Sequence, residues 1–138
     1  MNNATLVWGD RLVRPFGLTS ARWQVMGAIA YADRPRPVAW LARDLGANRQ
    51  NIQRIANDLA RENLVAFETN PNHRRAQLVV LTEAGKRAYD SAVDAWNPAA
   101  TGLANDLSAD ELTTALRVLG LLRSRLTEIN AADDSADA

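Results

Sequence analysis

Apolar positions recur at helical spacing along most of the chain and switch to short continuous runs in one region. Ile52, Ile55, Ala56 and Leu59 fall at i, i+3, i+4 and i+7, which lines one face of an α-helix. Just beyond, Leu64 to Thr69 and Ala76 to Leu81 are apolar runs of strand length. Asn70-Pro71-Asn72-His73-Arg74-Arg75 between them is built of turn-forming and basic residues. The pattern predicts a mainly α chain with a small β-hairpin, and a helix bearing Arg, Asn and Gln directly before that hairpin. This is the arrangement of a recognition helix followed by a β-wing, which points to duplex DNA.

The segments before it read as helices with clear boundaries. Residues 4 to 14 are weakly amphipathic through Leu6, Val7, Leu12 and Val13, and Pro15-Phe16-Gly17 ends them. Thr19 suits the N-cap of a helix that turns Trp23, Met26, Ile29 and Ala30 inward, and the stretch Asp33-Arg34-Pro35-Arg36-Pro37 terminates it. Pro37 fits the first turn of the next helix, whose missing N–H costs nothing there, and Val38, Leu41, Ala42 and Leu45 form its buried stripe. Gly46 stands where a helix end needs positive φ, and Asn48 can cap the helix that follows. A turn this short forces the two helices to cross steeply, as in a helix-turn-helix.

In the C-terminal part, Asn97-Pro98 is expected to kink or break the helix that begins near Thr82. Ser108 and Glu111 form a capping box. After it Leu112, Leu119 and Leu126 repeat every seven residues, with Ala115, Leu122 and Ile129 in a second seam. Such a stripe requires an apolar partner, either the helix from Thr82 to Trp96 or a second copy of the chain. The shortage of other elements to cover it favours the second copy. Residues 131–138 are small and acidic and are expected to be a disordered tail.

Composition narrows the function classes. At 138 residues and 47% hydrophobic content the chain can bury one sizeable core. It has no run of the ~18 apolar residues that a membrane helix needs, so a soluble cytoplasmic protein without membrane contact is expected. The absence of cysteine and the single histidine rule out disulfides and thiolate chemistry and leave no metal site or cofactor to propose. No glycine-rich phosphate loop or paired-carboxylate motif supports an enzyme.

The net charge is zero, but it is unevenly distributed. From Arg34 to Arg87 there are ten basic residues against five acidic ones, a net of +5, and the remainder carries −5. The positive half coincides with the helix and wing pattern, as a phosphate-binding surface would. No acid occurs from Arg49 to Asn57. Within that stretch Arg49, Gln50, Asn51, Gln53 and Arg54 are the candidates for contact with base edges or adjacent phosphates. Arg pairs bidentately with guanine, and Asn or Gln with adenine. Asn57 and Arg61 lie further along and are assigned to phosphate or solvent. An arginine of the turn can enter a narrow minor groove. His73 is given no metal role.

These pieces together resemble the MarR family of bacterial winged-helix regulators. The matching segments are Leu18-Thr19 with Arg22-Trp23, Leu41-Ala42-Arg43-Asp44-Leu45-Gly46, Gln50-Asn51-Ile52-Gln53-Arg54-Ile55, Asn63-Leu64-Val65, Asn70 to Ala76, and Leu81-Thr82-Glu83-Ala84-Gly85. The resemblance implies a winged helix-turn-helix domain with a connecting helix over residues 18–97, flanked by dimerisation helices at 1–17 and 98–130. It implies a homodimer on a pseudo-palindromic operator, and a repressor that a small aromatic or phenolic anion releases. The family's wing often runs Asp, any residue, Arg, Asp, any residue, Arg. Here those places hold Asn70, Asn72, His73 and Arg75, so only the last arginine is retained. Arg75 then takes the minor-groove role with Arg74 beside it on phosphate, and the acidic braces are missing.

For the ligand, Trp8, Phe16, Trp23 and Trp40 offer aromatic surface near the junction of the two regions, and Arg11, Arg14 and Arg22 can pair with a carboxylate. Trp23 and Trp40 also suit the core. The competing reading of the whole chain is a winged-helix module for protein–protein interaction without specific DNA binding, which the neutral net charge and altered wing would suit.

Overall fold

The computed structural model describes residues 2–136, with side chains from 3 to 129. The chain forms two units, one ending at Ala99 and the other beginning at Ala100. The first contains α1 (Asn2–Val13), a 3-10 turn (Arg14–Phe16), α2 (Ser20–Tyr31), β1 (Arg36–Pro37), α3 (Val38–Asp44), α4 (Arg49–Arg61), β2 (Val65–Glu68) and β3 (Leu78–Leu81). Helix α5 (Glu83–Ala104) carries the chain across the boundary, and α6 (Ala109–Ala136) forms the rest of the second unit. None of the described helices is long and apolar enough to cross a membrane.

Side-chain caps set the helix starts. Thr19 accepts a hydrogen bond from the Arg22 N–H at 3.3 Å, and Asn48 accepts from Gln50 and Asn51 at 2.9 and 3.3 Å. These satisfy donors that the first helical turn leaves open. Asp10 of α1 reaches across to the start of α2, where its Oδ1 accepts from the Ser20 N–H at 2.6 Å. The Ser20 hydroxyl donates to the Leu6 carbonyl at 3.1 Å. Gly46 has φ of 60°, which reverses the chain between α3 and α4 without the penalty a Cβ would bring.

The core of the first unit is formed by Val13, Val25, Met26, Val38, Leu41, Ile52, Ile55, Ala56, Leu59, Val65, Val79 and Ala92 among others. All four periodic positions of α4 are buried, which fixes the opposite face outward. The sheet is antiparallel in the order β1-β3-β2, with Phe67 opposite Val79 and Arg36 opposite the same Val79 on the other side. The strand β1 is absent from the pattern reading, because the two prolines flanking Arg36 read only as a helix terminator. Its edge place suits Pro37, which has no N–H to donate. Arg36 is fixed by Asp33 at 2.8 Å and lies 4.7 Å from the Trp40 ring centre.

A second junction ties the sheet to α5. The Thr82 N–H donates to the Leu64 carbonyl at 3.1 Å, and the Thr82 hydroxyl donates to Asn63 O at 2.6 Å while accepting from the Gly85 N–H. Gly85 sits so close that a Cβ there would lie 1.8 Å from Leu64 O. The sequence Leu-Thr-x-x-Gly thus encodes a strand-to-helix corner.

Three sequence expectations are revised. The hairpin strands are shorter than the apolar runs, because residues 69 and 76–77 belong to the turn. Helix α5 continues through Pro98. The alanines on both sides sustain it, and proline removes one N–H bond of a long ladder. Helix α6 continues to Ala136 through residues expected to be disordered, since Ala131, Ala132 and Ala136 are the strongest helix formers. Residues 137 and 138 lie outside the described residues. At the other end of α6 the capping box forms: the Ser108 N–H donates to Glu111 Oε2 at 2.8 Å and the Glu111 N–H to Ser108 Oγ at 3.2 Å.

Candidate nucleic-acid interface

Because Ile52, Ile55, Ala56 and Leu59 anchor α4, its outer face presents Arg49, Gln50, Gln53, Arg54, Asn57 and Arg61 along one open groove of about 540 Å³. Five of the seven sequence-predicted DNA-contact residues lie on α4, and four of these line the groove. The fifth, Asn51, is exposed beside it and accepts a hydrogen bond from Arg54 Nη2 at 2.9 Å. Arg54 also approaches Asp58 at 3.6 Å, and Asp58 is shared with Arg61. Gln53 donates to Asn57 Oδ1 at 3.0 Å. The reading face is therefore partly self-paired, with Arg54 held between Asn51 and Asp58. Asp58, one residue beyond the acid-free stretch, partly neutralises it.

The wing turn places Arg74 and Arg75 in solvent. Its bracing comes from Asn70, which is buried although polar. Asn70 Nδ2 donates to the Ala76 carbonyl at 2.9 Å, and its Oδ1 accepts from the Asn72 N–H at 3.0 Å. Two further turns close at His73 N–H to Asn70 O and at Ala76 N–H to His73 O. The missing acidic braces are thus replaced by an amide. A small cleft of about 80 Å³ joins α4 to the wing, and both Arg49 and Arg75 border it. Among the described residues no group of three or more His, Asp or Glu is placed to hold a metal ion.

The proposed ligand residues are only partly assembled. Trp8 and Trp23 meet through Trp96 of α5, at ring separations of 5.1 and 5.4 Å, and Tyr89 lies 6.4 Å from Trp23. Trp96 and Tyr89 escaped the sequence reading, since aromatics on an amphipathic helix look like ordinary core. Trp23 Nε1 is buried with no hydrogen-bond acceptor. Phe16 packs against the core, and Arg11 is exposed on α1. Arg22 is already committed: it donates to Gly17 O at 3.0 Å and pairs with Glu62 at 2.8 Å. Burial pushes the Tyr89 phenol up to about 12, and the hydrogen bond that Tyr89 shares with Tyr31 adds to the shift.

A helix-turn-helix whose exposed second helix is followed by a basic, braced hairpin defines a winged helix-turn-helix fold. Residues 16–76 match the MarR family model. The chain is 41% identical over 83 residues to an uncharacterized protein of Mycobacterium bovis, a match covering 60% of this chain and 57% of that one. It is 33% identical over 87 residues to the transcriptional activatory protein BadR of Rhodopseudomonas palustris, covering 59% and 48%. The matches thus span about half the length of these relatives.

Among solved structures, a MarR/EmrR family transcriptional regulator from Acinetobacter superposes with a TM-score of 0.83 at 18% identity, over 92% of this chain and 89% of that one. A mutant MarR of E. coli complexed with operator DNA gives 0.80 at 23%, over 88% and 86%. The PcaV regulator of Streptomyces coelicolor, complexed with its natural ligand, gives 0.70 at 20%, over 78% and 75%.

Proposed function

We propose that this protein binds duplex DNA sequence-specifically as a homodimer on a pseudo-palindromic operator and represses transcription there until a small aromatic anion releases it. The observation that carries the reading is the outward face of α4, where Gln50, Asn51, Gln53 and Arg54 stand together on a rigid helix beside the wing arginines. These are the side chains that read base edges, on the element that enters a major groove.

The dimer reading is supported by α6. Leu119, Leu122, Leu126 and Ile129 are 50–59% exposed in the single chain, which is the stripe expected of a buried seam. A two-fold arrangement sets the two recognition helices about 34 Å apart, in successive major grooves. A mutant MarR of E. coli, which has the same fold, was solved complexed with operator DNA, which supports the DNA-binding reading. For the ligand, the support is the Trp8, Trp23 and Trp96 cluster with an unpaired indole N–H, a donor that a carboxylate or phenolate can satisfy.

The test is equilibrium binding to an operator selected from a randomised duplex pool. Arg54→Ala lowers operator affinity by about 1–3 kcal/mol and relaxes the preference at one base pair of each half-site. Undiminished affinity and selectivity of that variant overturn the reading. Titration with phenolic acids, followed by tryptophan fluorescence and operator release, tests the ligand; no change in either signal refutes it.

A further inference from the structure

The cleft between α4 and the wing has a composition that neither base reading nor groove insertion uses. Arg49 borders it from the helix and Arg75 from the wing, with Gln53 and Gln77 adding polar lining and Val38 and Phe67 apolar lining. No carboxylate lines it. On α4, Arg54 and Arg61 share the single carboxylate of Asp58, whereas Arg49 and Arg75 have no acidic partner among the described residues.

Two like charges that border one cleft without a counter-charge repel each other, a repulsion that solvent screens because both arginines are exposed. One anion between them reverses its sign. The cleft, about 80 Å³, is well below the ~150 Å³ that accommodates benzene in an engineered cavity, so a base or an aromatic inducer is too large. A tetrahedral oxyanion fits, and its oxygens match the forked donors of arginine.

We infer that Arg49 and Arg75 together grip a single backbone phosphate of the DNA, so that the cleft is a phosphodiester clamp that locks the wing to the recognition helix. The inference rests on the DNA-binding reading proposed above and moves Arg49 from base contact, and Arg75 from minor-groove insertion, to positioning. Base discrimination is then left to Gln50, Asn51, Gln53 and Arg54.

Binding of the selected operator and of a scrambled duplex is measured across a salt series for the full chain and for Arg49→Ala, Arg75→Ala and the double variant. One shared phosphate predicts that the double variant flattens the slope of log affinity against log salt by about 0.9, and each single variant by no more. The ratio of operator to scrambled affinity stays as in the unmodified protein, since a phosphate contact weakens all sequences alike. Arg49→Lys and Arg75→Lys retain the slope, and unchanged thermal unfolding confirms that the variants fold. A double variant that flattens the slope by about 1.8 means two separate phosphates and overturns the clamp. So does a changed operator ratio in either single variant. If the unmodified protein prefers no sequence yet keeps the shared slope, the operator reading fails and the clamp stands. If it binds no duplex, both fall.

Discussion

Asn70 and Ala76 close the wing: the Asn70 amide donates to the Ala76 carbonyl at 2.9 Å across the base of the turn. The same side chain accepts from the Asn72 N–H, so one residue satisfies a donor and an acceptor of the turn backbone. A carboxylate at this place can only accept. The exchange of acid for amide is therefore a change in how the wing is held, and it removes a negative charge from the wing.

Asn70→Ala leaves both backbone groups unpaired and costs about 1–3 kcal/mol, read as a lower urea midpoint. Hydrogen exchange at the Asn72 amide accelerates more than at the core amides. Asn70→Asp keeps the acceptor but loses the donor to Ala76, and its operator affinity falls further as its charge opposes the DNA. Wild-type exchange rates in Asn70→Ala would show that the turn is held by something else.

Gly85→Ala is expected to destabilise by about 3 kcal/mol or more, because the new methyl group meets a backbone carbonyl and not a flexible side chain. Equilibrium denaturation measures it. A loss below 1 kcal/mol, typical of a helical position that merely tolerates glycine, contradicts the close approach of α5 to Leu64.

The Asp10 carboxyl is held below the usual carboxylate range, chiefly by the Ser20 N–H and next by the Ser20 hydroxyl. A depressed native value stabilises the fold above the unfolded value near pH ~3.9, and that contribution is lost as pH falls through the native one. Asp10→Asn should lower stability at neutral pH by about 1 kcal/mol, the scale of a lost cap. It should also flatten the acid limb of the stability curve. Parallel curves for the two proteins would exclude the contact as a source of acid sensitivity.

Leu119→Glu places a charge in the exposed stripe of α6. If that stripe is the seam between two copies, sedimentation equilibrium shows a shift from dimer to monomer, and operator affinity falls with it because each half-site is then bound alone. A variant that sediments as the unmodified protein does would place the interface elsewhere.

Much of the candidate site was legible because it is local. The burial of Ile52, Ile55, Ala56 and Leu59 follows from their spacing, which already dictates that Gln50 and Arg54 face outward. The caps at Thr19, Asn48 and Ser108 likewise join residues two or three apart. The extent of the strands was less legible, since apolar runs mark where pairing is possible and not where a turn's side chains interrupt it. Of the kink or break expected at Pro98, the break does not occur, and the helix over the acidic tail shows that single-residue preferences yield to neighbouring alanines.

The sequence by itself determined the order of elements, the helix boundaries set by caps and glycines, and which face of α4 is polar, because these depend on side chains within about one turn of each other. Only the tertiary structure decided that Arg36 pairs with β3, that Trp8 and Trp23 meet at Trp96, that Arg22 is committed to Glu62, and that Arg49 and Arg75 border one cleft. Those residues lie tens of positions apart. What brings them together is the packing of α1, α2 and α5 and the folding of the wing toward α4, a geometry fixed by the shared core and not by any local preference.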